Sequence, residues 1–143
     1  MNVDSILKTK GNVVVTVALD EKVAVAAAKL KREKIGALIV SEDGIGVSGI
    51  LSERDIARAL ADHGAGLGEL AVRDLMTRKV ITCTPDDTVE ELMASMTEHR
   101  IRHLPVMARG ILCGVVSIGD VVKNRLEEVE REANSLRAYI SGV

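Results

Sequence analysis

Apolar and polar residues follow one another along this chain in patterns that predict a mixture of short strands and helices. Runs rich in β-branched residues and bounded by turn residues indicate strands. Such runs are Val13–Val17, Ala37–Ser41, Val47–Leu51, Val80–Cys83, His103–Met107 and Ile111–Val116. Apolar residues at helical spacing begin at Val23 and again at Val89, which predicts a helix after the first strand of each half. Gly44, Gly46 and Gly110 mark the turns between neighbouring strands.

Capping residues mark where the predicted helices begin. Thr88-Val89-Glu90-Glu91 is a capping box, in which the Thr hydroxyl and the Glu carboxylate satisfy each other's backbone donors. A further helix in each half is predicted to begin at Ser52 and at Ser117, because Ser is a favoured N-cap residue. Each half therefore has the order β-α-β-β-α.

The two halves are copies of one unit. A shift of 66 residues lays residues 14–44 over residues 80–110, and a shift of 65 continues the match beyond them. The identical pairs are Val14/Val80, Thr16/Thr82, Asp20/Asp86, Val23/Val89, Ile35/Ile101, Leu38/Leu104, Val40/Val106, Gly44/Gly110, Gly49/Gly114, Ser52/Ser117 and Asp55/Asp120. Matches that keep their order through half a chain indicate a tandem duplication.

The duplication predicts an α+β fold in which two β-α-β-β-α repeats pack about a pseudo-twofold axis. A three-stranded sheet with helices on one face must cover its other face, and a second copy can do so. We assign residues 1–61 to the first repeat, 62–71 to a glycine-rich linker, 72–128 to the second repeat and 129–143 to a C-terminal helical extension. Such packing leaves a symmetric pair of clefts between the repeats, where ligands commonly bind.

Composition narrows the classes of function. The chain is 47% hydrophobic but has no Phe, no Trp and one Tyr, so its core is predicted to be aliphatic. Single-stranded nucleic acids stack on aromatic rings and polyanions need basic surfaces, so this composition and a net charge of −2 disfavour nucleic-acid binding. No apolar run suits a membrane span, and residues 1–12 show no targeting signal. Cys83 and Cys113 lack Cys-x-x-Cys spacing, so we expect free thiols and a cytoplasmic location.

A short motif precedes the last helix of each repeat. It consists of Gly, two apolar residues, Ser, two variable residues and Asp, at residues 49–55 and 114–120. One interpretation is purely structural, since Ser at the N-cap and Asp at the third helical position form a capping pair. The other is functional, since a carboxylate beside a cleft can accept hydrogen bonds from ribose hydroxyls while the helix N-terminus attracts phosphate.

Several motifs together make the chain resemble a tandem pair of CBS domains between Ile6 and about Glu128. They are Asp74-Leu75-Met76-Thr77, Thr84-Pro85-Asp86-Asp87-Thr88-Val89, Arg100-Ile101-Arg102-His103-Leu104-Pro105-Val106 and the two Gly-to-Asp segments. The resemblance implies a regulatory module that binds an adenosine-containing ligand in the cleft between repeats. AMP is the expected ligand, with ATP, NAD(H) and S-adenosylmethionine as alternatives.

The same resemblance implies roles for particular residues. Asp55 and Asp120 would bind ribose, with Ser52 and Ser117 close to the sugar or phosphate. Phosphate would be held by Arg102 and His103, and also by Arg54. The adenine candidates are Thr82, Cys83 and Thr84 with Leu104 and Pro105 in one repeat, and Val17 and Ala18 with Ala37 and Leu38 in the other. The first repeat departs from the family pattern, since Gly36-Ala37 replaces the basic pair and Ala18-Leu19 replaces Thr-Pro.

No other constellation predicts catalysis or a metal. His99 and His103 are four residues apart, but the pattern turns to strand between them and no third ligand is evident. Neither a nucleophile elbow nor a phosphate-cradling Gly-rich loop with Lys occurs. We therefore expect a non-enzymatic protein that binds no metal.

The C-terminal segment carries a heptad pattern. The apolar residues are Val122, Leu126, Val129, Ala133, Leu136 and Ile140, spaced alternately by four and three. Glu127 and Arg131 form a favourable pair on the exposed side. The helix could pack back on its own domain, but a subunit contact is favoured because the pattern continues beyond the repeat. The leading hypothesis is a homodimeric sensor that acts on an unknown regulated protein; the alternative is a structural dimerisation module without ligand.

Overall fold

The computed structural model describes residues 1–142, so Val143, the last residue of the expected extension, lies outside the described part. Within residues 1–142 the chain forms six α-helices and five strands. They are α1 (Val3–Lys10), β1 (Thr16–Val17), α2 (Val23–Glu33), β2 (Ala37–Val40), β3 (Gly49–Ser52), α3 (Glu53–His63), α4 (Val72–Leu75), α5 (Val89–His99), β4 (His103–Ala108), β5 (Ile111–Ser117) and α6 (Ile118–Ile140). The segment expected as a linker contains a 3-10 helix at Gly64–Glu69, where Leu67 is buried.

The duplicated β-α-β-β-α architecture is confirmed. In the first repeat β1 pairs in parallel with β2, and β2 pairs antiparallel with β3. In the second repeat β4 and β5 form the antiparallel pair, and α5 and α6 take the places of α2 and α3. Both repeats thus place a helix directly after the last strand, where the Ser-x-x-Asp turn lies.

The prediction of a strand over Val80–Cys83 is wrong in extent. This segment pairs with β4 only through a single parallel bridge between Cys83 and Val106. In the first repeat the N–H of Ile39 donates to the carbonyl of Val15 at 3.3 Å. The position equivalent to Ile39 is Pro105, which has no N–H to donate. Pairing in the second repeat therefore begins two residues later.

Each repeat receives a helix from outside its own sequence unit. Helix α1 belongs to the segment assigned to the first repeat but buries Val3, Ile6 and Leu7 in the core of the second. Helix α4 belongs to the segment assigned to the second repeat but contributes Val72 and Leu75 to the core of the first. Helix α1 was not among the predicted elements, although Asn2 supplies an N-cap by accepting from the N–H of Ser5 at 3.0 Å.

The glycine that opens each motif makes room for these exchanged segments. A Cβ placed on Gly114 would lie 2.7 Å from Leu7 of α1, and one placed on Gly49 would lie 2.7 Å from the sulfur of Met76, just after α4. A side chain at either position would displace the packed residue, so the two glycines allow α1 and the end of α4 to pack closely on the opposite repeats.

Both cores are aliphatic, as the composition predicts. The fully buried side chains of the first repeat and of α4, which packs on it, include Val23, Leu38, Ile39, Val40, Leu51 and Val72. Those of the second core include Val3, Val89, Leu92, Leu104, Val106 and Val116. Both cysteines are free thiols; Cys83 is buried and Cys113 is half-buried. Burial raises the pKa of Cys83 to about 12, so this thiol stays protonated at neutral pH.

Helix α6 is 23 residues long, and its heptad residues are largely exposed. Leu126 is 60% exposed and Leu136 59%, whereas Val121, near the helix start, is buried. Beyond its first turns the helix therefore does not bury its apolar seam against its own domain.

Candidate functional site

The Ser-x-x-Asp turns form reciprocal caps at the N-termini of α3 and α6. The hydroxyl of Ser52 accepts from the N–H of Asp55 at 3.2 Å, and the carboxylate of Asp55 accepts from the N–H of Ser52 at 2.9 Å. Ser117 and Asp120 make the same two bonds at 3.3 and 2.9 Å. The structural interpretation of the motif is therefore confirmed. Because the cap uses Oδ2 in both cases, Oδ1 of each aspartate is available for other partners.

The carboxylate of Asp55 lies in a cleft of about 330 Å³, which we name the Asp55 cleft. One wall comes from the first repeat and the other from the second. Its lining residues are Gly36, Ile50, Ser52, Glu53, Arg54, Asp55, Arg58, Thr77, Lys79, Val80, Ile81, His99, Arg100, Ile101, Arg102 and His103. Thr77, two residues after the end of α4, donates its hydroxyl to Oδ1 of Asp55 at 3.3 Å.

Asp120 lies in a second cleft, of about 340 Å³, which we name the Asp120 cleft. It is lined by Lys10, Val13, Val15, Lys34, Ile35, Gly36, Ala37, His103, Val115, Ser117 and Asp120. Here the end of the exchanged α1 provides Lys10, whose ammonium donates to Oδ2 of Asp120 at 2.6 Å and to the carbonyl of Val115 at 2.7 Å. Burial opposes ionisation of Asp120, but bonds from Lys10 and Ser117 outweigh it and lower its pKa.

The two clefts differ sharply in charge. The Asp55 cleft is lined by two carboxylates and by five basic side chains, which are Arg54, Arg58, Lys79, Arg100 and Arg102. The Asp120 cleft has one carboxylate and two lysines, and one of these lysines is already paired with that carboxylate. The Asp55 cleft therefore has the larger excess of positive charge, which favours anions because clefts focus the field of their lining charges.

His103 lies in the wall that separates the two clefts and lines both of them. A Cβ on Gly36 would come within 3.2 Å of its ring, so the small residue across the pseudo-twofold axis gives the imidazole its space. Burial lowers the pKa of His103, and the nearby charge of Lys10 lowers it further. The neutral imidazole is therefore favoured at neutral pH.

The predicted sugar and phosphate residues separate into two groups by position. Ser52, Arg54 and Asp55 of the first repeat meet Arg102 and His103 of the second in the Asp55 cleft. The Asp120 cleft brings together Ser117, Asp120, Ala37 and His103. Each cleft lies between the last helix of one repeat and the middle strand of the other. Arg54 and Arg102, the two arginines predicted to bind phosphate, therefore line the same cleft.

The other adenine candidates lie away from the clefts. Val17, Leu38, Cys83, Leu104 and Pro105 are buried within the repeats, whereas Ala18, Thr82 and Thr84 are exposed outside the cleft linings. The apolar lining is instead supplied by Val80, Ile81 and Ile101 in the Asp55 cleft and by Val13, Val15 and Ile35 in the Asp120 cleft. These apolar residues lie one to four positions before the predicted adenine residues on the same segments of the chain.

Sequence reasoning also missed cleft residues that only the exchanged segments and helix surfaces provide. Lys10 and Thr77 enter the clefts because α1 and α4 pack on the opposite repeat. Arg58 has a local signal, since it lies one helical turn after Arg54 and shares its face.

His99 and His103 line the same cleft, but residues 1–142 contain no group of three or more potential metal ligands. No helix in this part of the chain is long and apolar enough to cross a membrane.

Two repeats of this topology, each packed against a helix of the other unit and enclosing paired clefts, define a duplicated α+β module. The CBS domain family model matches residues 8–62 and 72–127. The chain belongs to the CBS domain family and contains two such domains.

Similar proteins come from several organisms. The chain is 39% identical over 127 residues to the CBS domain-containing protein CBSX3, mitochondrial, of Arabidopsis thaliana; the match covers 86% of this chain and 62% of that protein. The crystal structure of the CBS-domain containing protein ATU1752 from Agrobacterium tumefaciens superposes with a TM-score of 0.84 at 43% identity, covering 87% of this chain and 92% of that one.

A second similar structure contains ligands. The CBS domain pair of protein MJ0100, solved with 5′-methylthioadenosine and S-adenosyl-L-methionine, has a TM-score of 0.79 and 25% identity. The match covers 90% of this chain and 98% of that one. Adenosine-containing molecules are therefore ligands of that CBS pair.

Proposed function

We propose that this protein is a non-catalytic regulatory module that binds an adenosine-containing ligand between its two CBS domains. The observation that supports it is a capping aspartate in a cleft walled by both repeats, whose Oδ1 is not used by the cap and meets only the exposed hydroxyl of Thr77. A carboxylate in that position can accept hydrogen bonds from ribose hydroxyls, and the adjoining helix N-terminus can attract phosphate. The adenosine ligands of the MJ0100 pair support this assignment.

AMP is the ligand we expect first, with ATP, NAD(H) and S-adenosylmethionine as alternatives. Asp55 and Asp120 would bind ribose in their respective clefts. Arg54 and Arg102 would bind phosphate in the Asp55 cleft, where both guanidinium groups are found. Because each cleft is walled by both repeats, a bound ligand bridges them and can change their relative position, which a regulated protein would sense.

Thermal denaturation with AMP, ATP, NADH and S-adenosylmethionine tests the proposal. A ligand that prefers the native state raises the midpoint, by an amount that grows with its concentration relative to Kd. We expect at least one of the four compounds to raise it, and guanosine nucleotides at matched concentration serve as the control for base recognition. If none of the four shifts the midpoint, the structural dimerisation module becomes the better hypothesis.

We also propose that the protein is a homodimer and that α6 contributes to the contact. The heptad residues of α6 remain exposed, as does Tyr139 at 84%. In a coiled coil with a second copy of the helix, these heptad residues would occupy the a and d positions and become buried between the two helices. Removal of residues 126–143 should weaken association, as measured by light scattering at micromolar concentration. A monomeric full-length protein at that concentration would contradict the dimer.

The cytoplasm is the location that we propose. The two free thiols fit a reducing compartment, because Cys83 and Cys113 form no disulfide. Fractionation of cells that express a tagged full-length protein tests this location, and recovery with an organelle would contradict it.

A further inference from the structure

Helix α6 extends well beyond its own repeat and has an apolar seam that its own domain leaves uncovered. The face that packs on this domain includes the buried Val121 and the half-buried Asn124 and Glu128. The seam lies roughly a quarter of a turn further round the helix. It consists of the heptad residues Val122, Leu126, Val129, Ala133, Leu136 and Ile140, all of which are exposed except the half-buried Ala133. The seam is therefore a surface that residues 1–142 do not cover.

The spacing of the seam fixes a heptad register. Alternate steps of three and four place Leu126, Ala133 and Ile140 at a positions and Val122, Val129 and Leu136 at d positions. The positions that flank the seam are then Lys123, Glu130 and Arg137 at e, and Ile118, Arg125, Glu132 and Tyr139 at g. Charges at e and g set partner choice and orientation in a coiled coil, so these side chains show which way a second helix would run.

A parallel, in-register pair of α6 helices brings opposite charges together. In that arrangement each g residue faces the e residue of the following heptad in the other copy. Arg125 then faces Glu130 of the second copy, and Glu132 faces Arg137 of the second copy. A twofold axis repeats each contact on the other side of the seam. Every pair of charged g and e residues is therefore attractive.

An antiparallel pair brings like charges together instead. When each a residue packs against a d residue of the second copy, Leu126 lies opposite Leu136, and residues at e face e while those at g face g. Glu130 then faces its own equivalent, and Glu132 does the same. Like charges placed opposite each other oppose the arrangement that contains them. The flanking charges thus favour the parallel orientation and disfavour the antiparallel one.

Most of these charges are not engaged within the chain. Among residues 1–142, Glu130, Glu132 and Arg137 take part in no ion pair. Arg125 binds Glu128 of the same helix at 3.1 Å, but a guanidinium has five N–H donors and can accept a second partner. The contact between Glu132 and Arg137 is therefore the cleaner determinant of orientation.

We infer that α6 pairs with α6 of a second copy of this chain as a parallel, in-register coiled coil. The inference rests on the proposed homodimer and adds the orientation of its two subunits. A second copy is the partner that fits, because the flanking charges of α6 complement those of an identical helix. Asp120 precedes the first seam residue, Val122, by two positions, so parallel pairing places the two Asp120 clefts at the same end of the coiled coil.

Disulfide cross-linking of full-length cysteine variants measures the orientation. Val122→Cys and Ile140→Cys each place a thiol at one end of the seam. In the parallel dimer each variant should cross-link to itself under mild oxidation, because equivalent core residues face each other. In an antiparallel dimer equivalent residues at the ends of the seam lie about 27 Å apart, at 1.5 Å per residue, so only a mixture of the two variants cross-links. Wild type is the control for the native thiols of Cys83 and Cys113.

A charge reversal at one flanking position tests the cause of the orientation. Glu132→Lys faces Arg137 of the second copy with a like charge in the parallel dimer, so the Kd of dimerisation should rise roughly threefold to tenfold. Glu132→Lys/Arg137→Glu restores opposite charges and should recover most of the affinity. Glu127→Lys is the matched control, since it makes the same change of charge at a b position away from the seam. Sedimentation equilibrium of the full-length proteins measures each Kd.

The outcomes separate this inference from the proposed function. Cross-linking of the mixture alone overturns the parallel orientation while the homodimer stands, and so does a Kd of Glu132→Lys equal to that of wild type. A dimer that cross-links in none of these experiments has its contact elsewhere, which also overturns the inference. A monomeric full-length protein overturns the homodimer itself. None of these results changes the thermal shifts expected with adenosine compounds, so the ligand-binding proposal is tested independently.

Discussion

The two clefts have the same backbone plan and different chemistry. Both place a capping aspartate at a helix N-terminus and both are walled by the two repeats. The aspartate of one cleft meets the neutral hydroxyl of Thr77 at 3.3 Å, and that of the other meets the ammonium of Lys10 at 2.6 Å. The two repeats thus share the groups that cap their helices and differ in the groups that face the clefts.

This divergence has a structural origin in the exchanged helices. Lys10 ends α1 and Thr77 follows α4, so both side chains reach the clefts from segments outside the matched repeat core. To maintain the fold, these segments need to retain only the apolar residues that they bury in the opposite repeat. Their polar ends are free to change, and they determine what each aspartate can bind.

The largest expected effect comes from the aspartates themselves. Asp55→Ala and Asp120→Ala should each weaken nucleotide binding in their own cleft by roughly 1.5–3 kcal/mol, the scale of hydrogen bonds to a charged group. A 2′-deoxy ligand should lose affinity for wild type but little for the variant, as measured by calorimetry. Asp74→Ala is the control, because Asp74 caps α4 and lines neither cleft. If the 2′-deoxy ligand loses the same affinity for wild type and for the variant, the aspartates act only as helix caps.

The second effect should be confined to the Asp55 cleft. Arg102→Ala should weaken AMP by about tenfold, or ~1.4 kcal/mol, while adenosine is almost unaffected, because the lost contact is to phosphate. Arg102→Lys keeps the charge and should recover part of the affinity. If AMP and adenosine weaken together in calorimetry, Arg102 supports the start of β4 instead and its phosphate role is wrong.

A smaller change should appear in the Asp120 cleft when Lys10 is removed. Lys10 competes with ribose hydroxyls for Asp120, and a partly exposed ion pair is worth up to about 1 kcal/mol. Lys10→Ala, in an Asp55→Ala background, should therefore strengthen adenosine binding by up to about fivefold. Lys8→Ala is the matched control, since Lys8 pairs with Asp4 on the exposed side of α1. Weaker adenosine binding would show that Lys10 holds the ligand.

The smallest change that we expect is in the pH dependence of stability, and it comes from His103, which lines both clefts. Its pKa is lowered in the folded protein, first by burial and then by Lys10 and Arg102, against the opposing charges of Glu53 and Asp120. The unfolded chain therefore binds more protons just below pH 6.5, and the free energy of unfolding falls on acidification from that value until the folded pKa is reached. Chemical denaturation across this range should show a smaller loss in His103→Gln. An identical pH dependence in both proteins would contradict the assignment.

Most of the architecture could be predicted from the sequence, because the features that specify it are local and occur twice. Hydrophobic periodicity predicts the strands and helices, and the serine and aspartate of each motif predict the helix starts that the structure confirms at Glu53 and Ile118. The residue pairs at a spacing of 66 predict two matching repeats. An aliphatic core follows from a composition without Phe or Trp. These properties depend on neighbouring residues, so they can be read without coordinates.

Which residues share a cleft depends on how distant segments pack. Arg54 and Arg102 belong to different repeats and meet because the helix of one repeat faces the strand of the other. Lys10 reaches Asp120 across 110 positions because α1 packs on the second repeat. The shortened strand near Cys83 depends on Pro105, whose missing N–H matters only once the two segments are adjacent. Contacts of this kind arise from packing between distant segments, and no local pattern in the chain encodes which segments will meet.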